Sequence, residues 1–160
     1  MKNEVVLATL EHAEALAPRL RKGDVDEIKA ASGESPESAL VMSMAYSPKS
    51  WAWLVDGEVV AMFGVAAHPY RPATGVPWLL AAEDLGRQRI FFLRTCGAYI
   101  DEMLDVFPML ENFVDCRNTV SIQWLAWCGF ALAEVHPFYG VQRLPFIRFI
   151  KSKENPACAL

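Results

Sequence analysis

The stretch "NTVSIQWLAWCGF", residues 118–130, predicts a short helix that ends abruptly and leads straight into an apolar strand. Asn118 suits the first position, because an Asn side chain accepts a hydrogen bond from the free N–H groups of a first helical turn. Gly129 suits the end, since glycine adopts the left-handed backbone conformation without steric cost. The stretch is more apolar than a surface helix usually is, so its role depends on the elements around it.

The sequence on either side of this helix predicts strands and one long helix. The predicted elements are a strand "TGVPWLLAA" (74–82), a helix over 84–107, a strand "LENFVDC" (110–116), and a final strand pair "FALAEVHPF" and "LPFIRFIKS". The helix follows from apolar residues at spacings of three or four, and Pro108 closes it. Pro77 lies inside the first strand, which therefore is an edge, bulged or splayed strand.

The first half of the chain predicts a strand, helices and a hairpin. The segments are "EVVLAT" (4–9), "LEHAEALAPRL" with Thr9 as its cap, "GDVDEIKAAS", "SPESALVMSMAY", and the hairpin "SWAWLVDGEVVAMFGVAAH". Asp56-Gly57 marks the turn of the hairpin, because both residues tolerate positive backbone angles. Together the elements predict an α/β fold with one mixed sheet and helices on both faces. We expect one domain over residues 1–152 and a frayed tail over 153–160.

Composition excludes several classes of function. The chain of 160 residues is 53% hydrophobic and 21% charged, with a net charge of −4, which indicates a folded core and argues against nucleic-acid binding. No apolar run approaches the roughly 20 residues that span a bilayer, and the N-terminus lacks the apolar core of a signal peptide. We therefore expect a cytoplasmic protein. Its cysteines, Cys96, Cys116, Cys128 and Cys158, show no paired spacing, so we expect free thiols and no metal site.

The order of elements over residues 4–151 resembles that of the GNAT superfamily of N-acetyltransferases. The family often carries Asn, a small residue three positions on, Tyr at seven, and Gly-Phe at eleven and twelve. Here those positions hold Asn118, Ser121, Leu125, Gly129 and Phe130. Among relatives, the chain resembles phage-encoded GNAT-like proteins most, some of them associated with virions, and the host cytoplasm would then be its location.

The resemblance implies a mostly antiparallel sheet of about seven strands whose fourth and fifth strands splay apart. It also implies that acetyl-CoA binds in this gap and that the helix over 118–130 is sandwiched beside the sheet as one wall of the cofactor cleft. The implied cofactor contacts are Leu79, Leu80, Ala82, Gly86, Arg87, Gln88, Arg89 and Asn118.

Two positions depart from the family pattern. The diphosphate-binding loop of the family is glycine-rich, whereas "AAEDLGRQR" has the single glycine Gly86 and two acids, Glu83 and Asp84, which Arg87 and Arg89 could offset. Leu125 replaces the tyrosine that commonly protonates the departing thiolate, and an alkyl side chain donates no proton.

The candidates for a catalytic base are His68, after the third strand, and Asp115 or Glu111 on the fifth. Each also has a simpler interpretation: His68 as a loop histidine before a proline, and Asp115 as an ion-pair partner of Arg117. Transfer of an acetyl group to an amine requires such a base, because only the neutral amine attacks.

Two hypotheses for function follow. The first is an acetyl-CoA-dependent N-acetyltransferase acting on an unidentified small-molecule or protein amine. The second is a GNAT-derived binding module without catalysis, acting as a homodimer or through a virion or host protein. Tryptophans at 51, 53, 124 and 127 bear on the second, since aromatic residues dominate interface energetics, although core packing explains most such residues.

Overall fold

The computed structural model describes residues 1–153, and within this range the chain forms seven strands and five α-helices. The strands are β1 (Asn3–Leu7), β2 (Lys49–Val55), β3 (Glu58–Ala67), β4 (Thr74–Ala81), β5 (Met109–Asp115), β6 (Ala131–Tyr139) and β7 (Leu144–Ser152). The helices are α1 (Leu10–Leu16), α2 (Lys22–Ala31), α3 (Pro36–Ala45), α4 (Arg89–Val106) and α5 (Thr119–Trp127). Of the predicted tail, residues 154–160 lie outside the described residues, and the N–H of Lys153 donates to the Pro108 carbonyl at 2.9 Å.

The described strands make one sheet in the order β1-β2-β3-β4-β5-β7-β6. Every neighbouring pair is antiparallel except β4 and β5, which run parallel and pair only at Thr74 with Met109 and Gly75 with Leu110. Beyond these two pairs the strands separate. The predicted fold class, including the splay of the fourth and fifth strands, is confirmed.

The local signals at turns and helix ends are also confirmed. Asp56 and Gly57 have φ of 51° and 83° at the β2–β3 turn. The Asn118 side chain accepts from the Ser121 N–H at 3.4 Å and so caps α5, and Gly129 follows the helix with φ of 87°.

The long helix predicted over 84–107 begins later than expected. Residues Glu83–Gln88 form a 3-10 helix, and the α-helix starts at Arg89. The acids of this segment are held by distant residues: the Lys22 N–H donates to the Glu83 carboxylate at 3.1 Å, and Arg19 lies 3.8 Å from Asp84. These contacts draw the segment toward the chain before α2, which competes with the α-helical hydrogen-bond pattern.

The two faces of the sheet carry separate cores. One core lies under α4 and α5 and includes Trp53, Phe63 and Phe92, while the other lies under α1, α2 and α3 and includes Leu40 and Met62. Both tryptophans of β2 are buried, so this strand leaves neither of them for a partner.

The expectation that α5 is sandwiched is wrong. No residue of α5 is buried, and Trp127 is 64% exposed. Trp124 is half-buried, with its ring 4.6 Å from that of Phe92 and 5.0 Å from the Arg21 guanidinium. No element covers the outer face of the helix within the described chain, and the neighbouring edge strand β6 exposes 71% of Phe138.

The turn between β6 and β7 is fastened to the end of α2. The N–H groups of Val141 and Gln142 donate to the carbonyls of Ala31 and Ala30, at 3.2 and 3.1 Å. Gly140 permits this approach, because a Cβ on it would lie 2.5 Å from the Ala30 carbonyl oxygen. The contact fixes α2 against the second half of the sheet.

Candidate functional site

The separation of β4 and β5 leaves backbone groups of β4 facing an open gap. The Ala82 N–H donates to the Val60 carbonyl of β3, which sets the alternation of the ladder along β4. Residues 75, 77, 79 and 81 therefore direct their backbone groups toward β5. Leu79 lies beyond the last residue that pairs with β5, so its N–H and C=O face the gap.

One side chain bridges the gap near its closed end. The Asn112 Nδ2 donates to the Pro77 carbonyl at 2.8 Å, and the Asn112 Oδ1 accepts from the Phe113 N–H at 2.8 Å. Pro77 has no N–H on this side, so its position leaves no unpaired donor. The amide of Asn112 thus replaces two ladder bonds while it holds the strands apart.

The gap opens into a cleft of about 330 Å³ that passes between the two helical layers. Its walls come from β4, β5, α4, α5 and α2, and six of the lining residues are Leu79, Val114, Phe92, Cys96, Leu125 and Glu27. The lining is mostly apolar and aromatic, with few groups that can exchange a proton. Such a cavity suits a slender apolar ligand fixed by a small number of polar contacts.

Glu27 of α2 is a partly buried residue whose carboxyl group lies in the wall of this cleft. Its Oε1 accepts from the Asp115 N–H at 2.8 Å and from the Asn118 Nδ2 at 3.4 Å. Burial raises the pKa of Glu27 to about 7, and the nearby negative charges of Asp24 and Asp115 act in the same direction, although the hydrogen bonds oppose them. Glu27 is therefore a carboxyl group that exchanges its proton near neutral pH.

The two carboxylates beside Glu27 each have a guanidinium partner. Arg21 binds Asp24 at 2.9 Å, and Arg117 binds Asp115 at 2.7 Å. Asp24 also accepts from the Ala81 N–H at 2.9 Å, yet burial still raises the pKa of Asp24 above its usual range. Glu27 has no ion-pair partner among residues 1–153, although its negative charge helps to raise the pKa of the nearby Arg117. Of the three carboxyl groups, Glu27 is the one that opens onto the cleft.

The structure places three predicted cofactor contacts at or beside the cleft. Leu79 and Leu80 line it. Asn118 caps α5 and turns its amide toward Asp24 and Glu27, at 3.5 and 3.4 Å, so it belongs to the carboxylate cluster. These cofactor-binding roles stay predictions.

The other predicted contacts lie where β4 leads into α4. Ala82 is buried with its N–H donating to Val60, and Gln88 accepts from the Asn3 side chain at 3.1 Å. Gly86, Arg87 and Arg89 are exposed, and a Cβ on Gly86 would meet no atom within 4 Å. Those three residues form an exposed surface on which neither arginine forms an ion pair with any of residues 1–153, and their binding roles stay predictions.

The two predicted catalytic residues lie far apart. His68 lies at the closed end of the β4–β5 pair, with its N–H donating to the Thr74 carbonyl at 3.1 Å. Its Nδ1 accepts from the N–H groups of Tyr70 and Arg71, both at 3.1 Å. Asp115 lies at the open end, where Arg117 holds its carboxylate. Their catalytic roles stay predictions, and only Asp115 is near the cleft.

Sequence reasoning missed Glu27. The one signal was the spacing of Asp24 and Glu27, which lie three residues apart on the same side of α2 as the apolar Ile28. A charged pair on an apolar helix face indicates either a buried ion pair or a site, but the spacing does not reveal Asp115, which lies 88 residues away.

The described residues contain neither a membrane-spanning helix nor a cluster of metal-binding side chains. No helix within residues 1–153 is long and apolar enough to cross a membrane. No group of three or more His, Cys, Asp or Glu side chains in the same part of the chain could hold a metal ion.

Comparison with known proteins gives the fold. No protein-family model matches the sequence, and no curated protein matches it. Among solved structures, Ard1 from Thermoplasma volcanium matches with a TM-score of 0.74 and 13% identity, over 95% of this chain and 98% of that one. A GNAT superfamily phosphinothricin acetyltransferase from Sinorhizobium meliloti, solved with acetyl-CoA, matches with a TM-score of 0.71 and 13% identity, over 100% and 96%.

A third structure agrees with these two. The ribosomal-protein-S18-alanine N-acetyltransferase from Escherichia coli matches with a TM-score of 0.69 and 14% identity, over 99% of both chains. At such low identity the likeness concerns the fold, and the chain has the fold of the GNAT acetyltransferases.

Proposed function

We propose that this protein is an acetyl-CoA-dependent N-acetyltransferase with Glu27 as its base. The observation that carries the proposal is the open gap between β4 and β5. Glu27, whose carboxyl group has a pKa of about 7, lines the cleft into which this gap opens. The structures of similar fold include acetyltransferases, one of them solved with acetyl-CoA. The acceptor is an amine that reaches Glu27, and the cytoplasm is the compartment that we propose.

The residues of the cleft suit the acyl end of acetyl-CoA. The cleft of about 330 Å³ has a mostly apolar lining, and Leu79 presents backbone groups to it for an amide or carbonyl partner. Arg87 and Arg89 are exposed beside the start of α4 and suit a diphosphate. The contact of Phe92 with Trp124, at 4.6 Å, narrows the passage between α4 and α5. When bound, acetyl-CoA supplies the acetyl group as an activated thioester.

The chemistry of this chain's own residues begins with the amine. An alkylamine is protonated at neutral pH, so Glu27 must accept a proton before the nitrogen can attack. A base with a pKa near 7 is ionised often enough to accept this proton and still returns it readily. The N–H of Leu79 faces the same gap and can stabilise negative charge that develops on a carbonyl oxygen.

Protonation of the departing sulfur does not come from Leu125, which lines the cleft with an alkyl group. Tyr139 also lines the cleft and keeps its proton at neutral pH, because burial raises the pKa of this phenol. The cleft therefore retains a proton donor, although a different one from the tyrosine of the family pattern.

Stabilisation by acetyl-CoA tests the proposal. At a concentration about 100 times Kd, the ligand should raise the free energy of unfolding by about 2.7 kcal/mol, seen as a shift in melting temperature. Replacing Arg87 and Arg89 together with Ala should abolish the shift. The control replaces Lys29 and Arg143 with Ala, which removes the same charge from exposed positions elsewhere. A wild-type protein that acetyl-CoA does not stabilise contradicts the proposal.

Catalysis requires a separate assay. Release of the CoA thiol, followed with a thiol reagent, should occur with at least one amine from a panel of polyamines, amino acids, aminoglycosides and short peptides. Stabilisation by acetyl-CoA without turnover on any of them would leave a CoA-binding protein rather than an enzyme.

A second candidate function is a binding module without catalysis, including the phage virion or host role that the sequence suggests. The exposed apolar side chains of Trp127, at the end of α5, and of Phe138, near the end of β6, favour it. This candidate predicts no stabilisation by acetyl-CoA, and a concentration-dependent increase in sedimentation coefficient that Trp127→Ala and Phe138→Ala remove.

A further inference from the structure

The cleft passes through the sheet, so it has one half on each face. Successive side chains of a strand point to opposite faces. In β4, Leu79 packs in the core under α4 and α5, whereas Trp78 packs in the core under α1, α2 and α3. In β5, Val114 belongs to the first core, so its neighbour Phe113 points to the other face. The α2-side half of the cleft is lined by residues that include Glu27, Glu34, Trp78, Phe113, Tyr139 and Phe146.

Aromatic rings from several strands form one wall of this half. The Phe113 ring of β5 lies 4.5 Å from that of Tyr139 in β6, and the Tyr139 ring lies 4.6 Å from that of Phe146 in β7. Across the gap, the Trp78 Nε1 donates to the Ser47 hydroxyl at 2.8 Å, which fixes the indole ring. Such rings bind a flat aryl group by offset or edge-to-face contact, and they attract an ammonium group.

The aromatic wall lies beside the Glu27 carboxyl group. Tyr139 shows this directly, because burial raises the pKa of its phenol and the negative charge of Glu27 acts in the same direction. The β6–β7 turn, which follows Tyr139, is hydrogen-bonded to the end of α2, the helix that carries Glu27. A ligand whose ring lies on the wall therefore has its amine within the reach of Glu27.

The charged side chains that line the cleft are both carboxyl groups. Besides Glu27 there is Glu34, in the loop between α2 and α3, and no Lys, Arg or His of residues 1–153 lines the cleft. The Glu34 carboxylate accepts from the Ser32 hydroxyl at 3.3 Å and forms no ion pair within the same range. An ammonium group entering here meets opposite charge, whereas a carboxylate meets like charge and no cation.

The arginines farther along this face of the sheet are paired with acids. Arg71 binds Glu111 at 2.8 Å, and Arg148 lies 3.8 Å from Glu111 and 2.9 Å from Glu134. Neither arginine can hold a carboxylate of a ligand without giving up part of an existing ion pair. The pattern of charges therefore selects against anionic ligands.

We propose that the α2-side half of the cleft binds primary arylalkylamines that carry no anionic group, with the ring on the wall of Phe113, Tyr139 and Phe146 and the amine at Glu27. The inference rests on the proposed function in one respect: if the protein is an acetyltransferase, these amines are its acceptors.

The transfer to such an amine balances. Glu27 takes one proton from the ammonium group and passes it to solvent, and the freed lone pair of the nitrogen attacks the carbonyl carbon of the thioester. The C–N bond forms, the C–S bond breaks with its electron pair on sulfur, and a second proton from the nitrogen ends on that sulfur. The products are the N-acetyl arylalkylamine and the CoA thiol.

The experiment measures binding to the full chain without acetyl-CoA, by titration calorimetry at neutral pH, with three matched probes. Phenylalanine adds a carboxylate to 2-phenylethylamine, and 2-cyclohexylethylamine saturates its ring. We expect 2-phenylethylamine to bind, and phenylalanine to bind at least about tenfold more weakly because its carboxylate finds like charge. The cyclohexyl probe should bind about two- to tenfold more weakly, since it lacks the ring–ring contact.

Two variants test the residues that carry the inference. Phe113→Leu keeps an apolar side chain but removes the ring, so it should abolish the preference for 2-phenylethylamine over the cyclohexyl probe. Glu34→Gln should narrow the difference between 2-phenylethylamine and phenylalanine. The matched controls are Phe138→Leu and Glu37→Gln, which alter exposed residues outside the cleft lining and should leave both preferences unchanged.

Two results would overturn the inference. One is a wild-type protein that does not bind 2-phenylethylamine, and the other is phenylalanine binding as tightly as 2-phenylethylamine or more tightly. Failure of the proposed function has a different signature, because 2-phenylethylamine would then bind while acetyl-CoA gave neither stabilisation nor release of the CoA thiol. That outcome supports the amine site and contradicts the transferase.

Discussion

The two ends of the β4–β5 pair differ in how their polar groups are satisfied. At the closed end, Gly75 pairs with Leu110, and the acid that follows, Glu111, is held by Arg71 at 2.8 Å and by Arg148 at 3.8 Å. At the open end, the Asp115 N–H has no strand partner and donates to Glu27 instead. Here the Glu27 carboxyl group accepts the hydrogen bond that a carbonyl of β4 would accept if the two strands stayed paired.

The difference indicates how this fold produces a group with an unusual pKa. Where the strands pair, the backbone needs no help, and acids nearby are neutralised by arginines on the surface. Where they separate, a freed N–H requires an acceptor, and Glu27 meets that need with no ion-pair partner among the described residues. The separation of β4 and β5 therefore accounts for the position of Glu27, because it frees the Asp115 N–H that the Glu27 carboxyl group accepts from.

The largest expected effect comes from replacing the open-end carboxyl group. Glu27→Gln should lower kcat about 10²–10⁴-fold, the usual contribution of a general base, while it retains the shape of the side chain. His68→Ala, at the closed end, is the comparison variant. Steady-state kinetics with an amine found in the acceptor screen distinguish the two, because a loss confined to His68→Ala would assign the base to the closed end.

The pH dependence of stability should reveal the same group. The pKa of Glu27 is about 7 in the folded protein and near its usual 4.5 in the unfolded chain. Between these values the folded state binds more protons, so the free energy of unfolding falls as pH rises from 4.5 to 7 and then levels off. At one pKa unit per 1.4 kcal/mol, the loss is about 3 kcal/mol.

Urea unfolding at pH 5, 6, 7 and 8 measures this loss. Glu27→Gln should flatten the profile over the same interval, because the amide does not titrate. A wild-type profile that is already flat or that rises between pH 5 and 7 would mean that Glu27 is ionised in the folded protein.

At the closed end, we expect stability to depend on the size of the side chain at position 75. A Cβ on Gly75 would lie 2.5 Å from Val65 and 2.6 Å from Phe107, so Gly75→Ala should cost about 1–3 kcal/mol of stability by overpacking. Gly97 in α4 is the matched control, because a Cβ there meets no atom within 4 Å. Gly97→Ala should stabilise the protein by about 0.5–1 kcal/mol. Equal effects of the two variants in urea unfolding would contradict the tight pairing at Gly75.

The smallest effect belongs to the residue between the two ends. Asn112→Ala removes the bonds to Pro77 and Phe113, and since water in the cleft can replace them, we expect a loss of about 1 kcal/mol. Gln123→Ala, an exposed amide of α5, should change stability by less than about 0.5 kcal/mol. A stability loss no larger than that of the control would show that Asn112 does not support the gap.

The parts of the fold that depend on local chemistry could be predicted from the sequence. Asp56-Gly57 specifies its turn and Asn118 caps its helix, because each effect depends on a few consecutive residues. Pro77 predicted an edge, bulged or splayed strand, and of these the splay is found, since the β3–β4 register is continuous and the β4–β5 pairing ends before Pro77. The order of the elements predicts one mixed sheet, and its resemblance to the GNAT superfamily implies the splay.

The parts that depend on distant contacts could not be predicted. The 3-10 segment before α4 depends on Arg19 and Lys22, and the pKa of Glu27 depends on Asp115, 88 residues away. The exposure of α5 likewise depends on which elements lie beside it, and an apolar composition alone does not reveal that.

The hydrogen bonds between the β6–β7 turn and α2 offer a way to measure how often this side of the protein opens. Val141 and Gln142 lose their amide partners only when the turn lifts away from Ala30 and Ala31. Deuterium uptake at these two amides therefore reports how often that side of the protein opens. An acceptor that enters by this route and stays would slow the uptake, whereas one that uses another entrance would leave it unchanged.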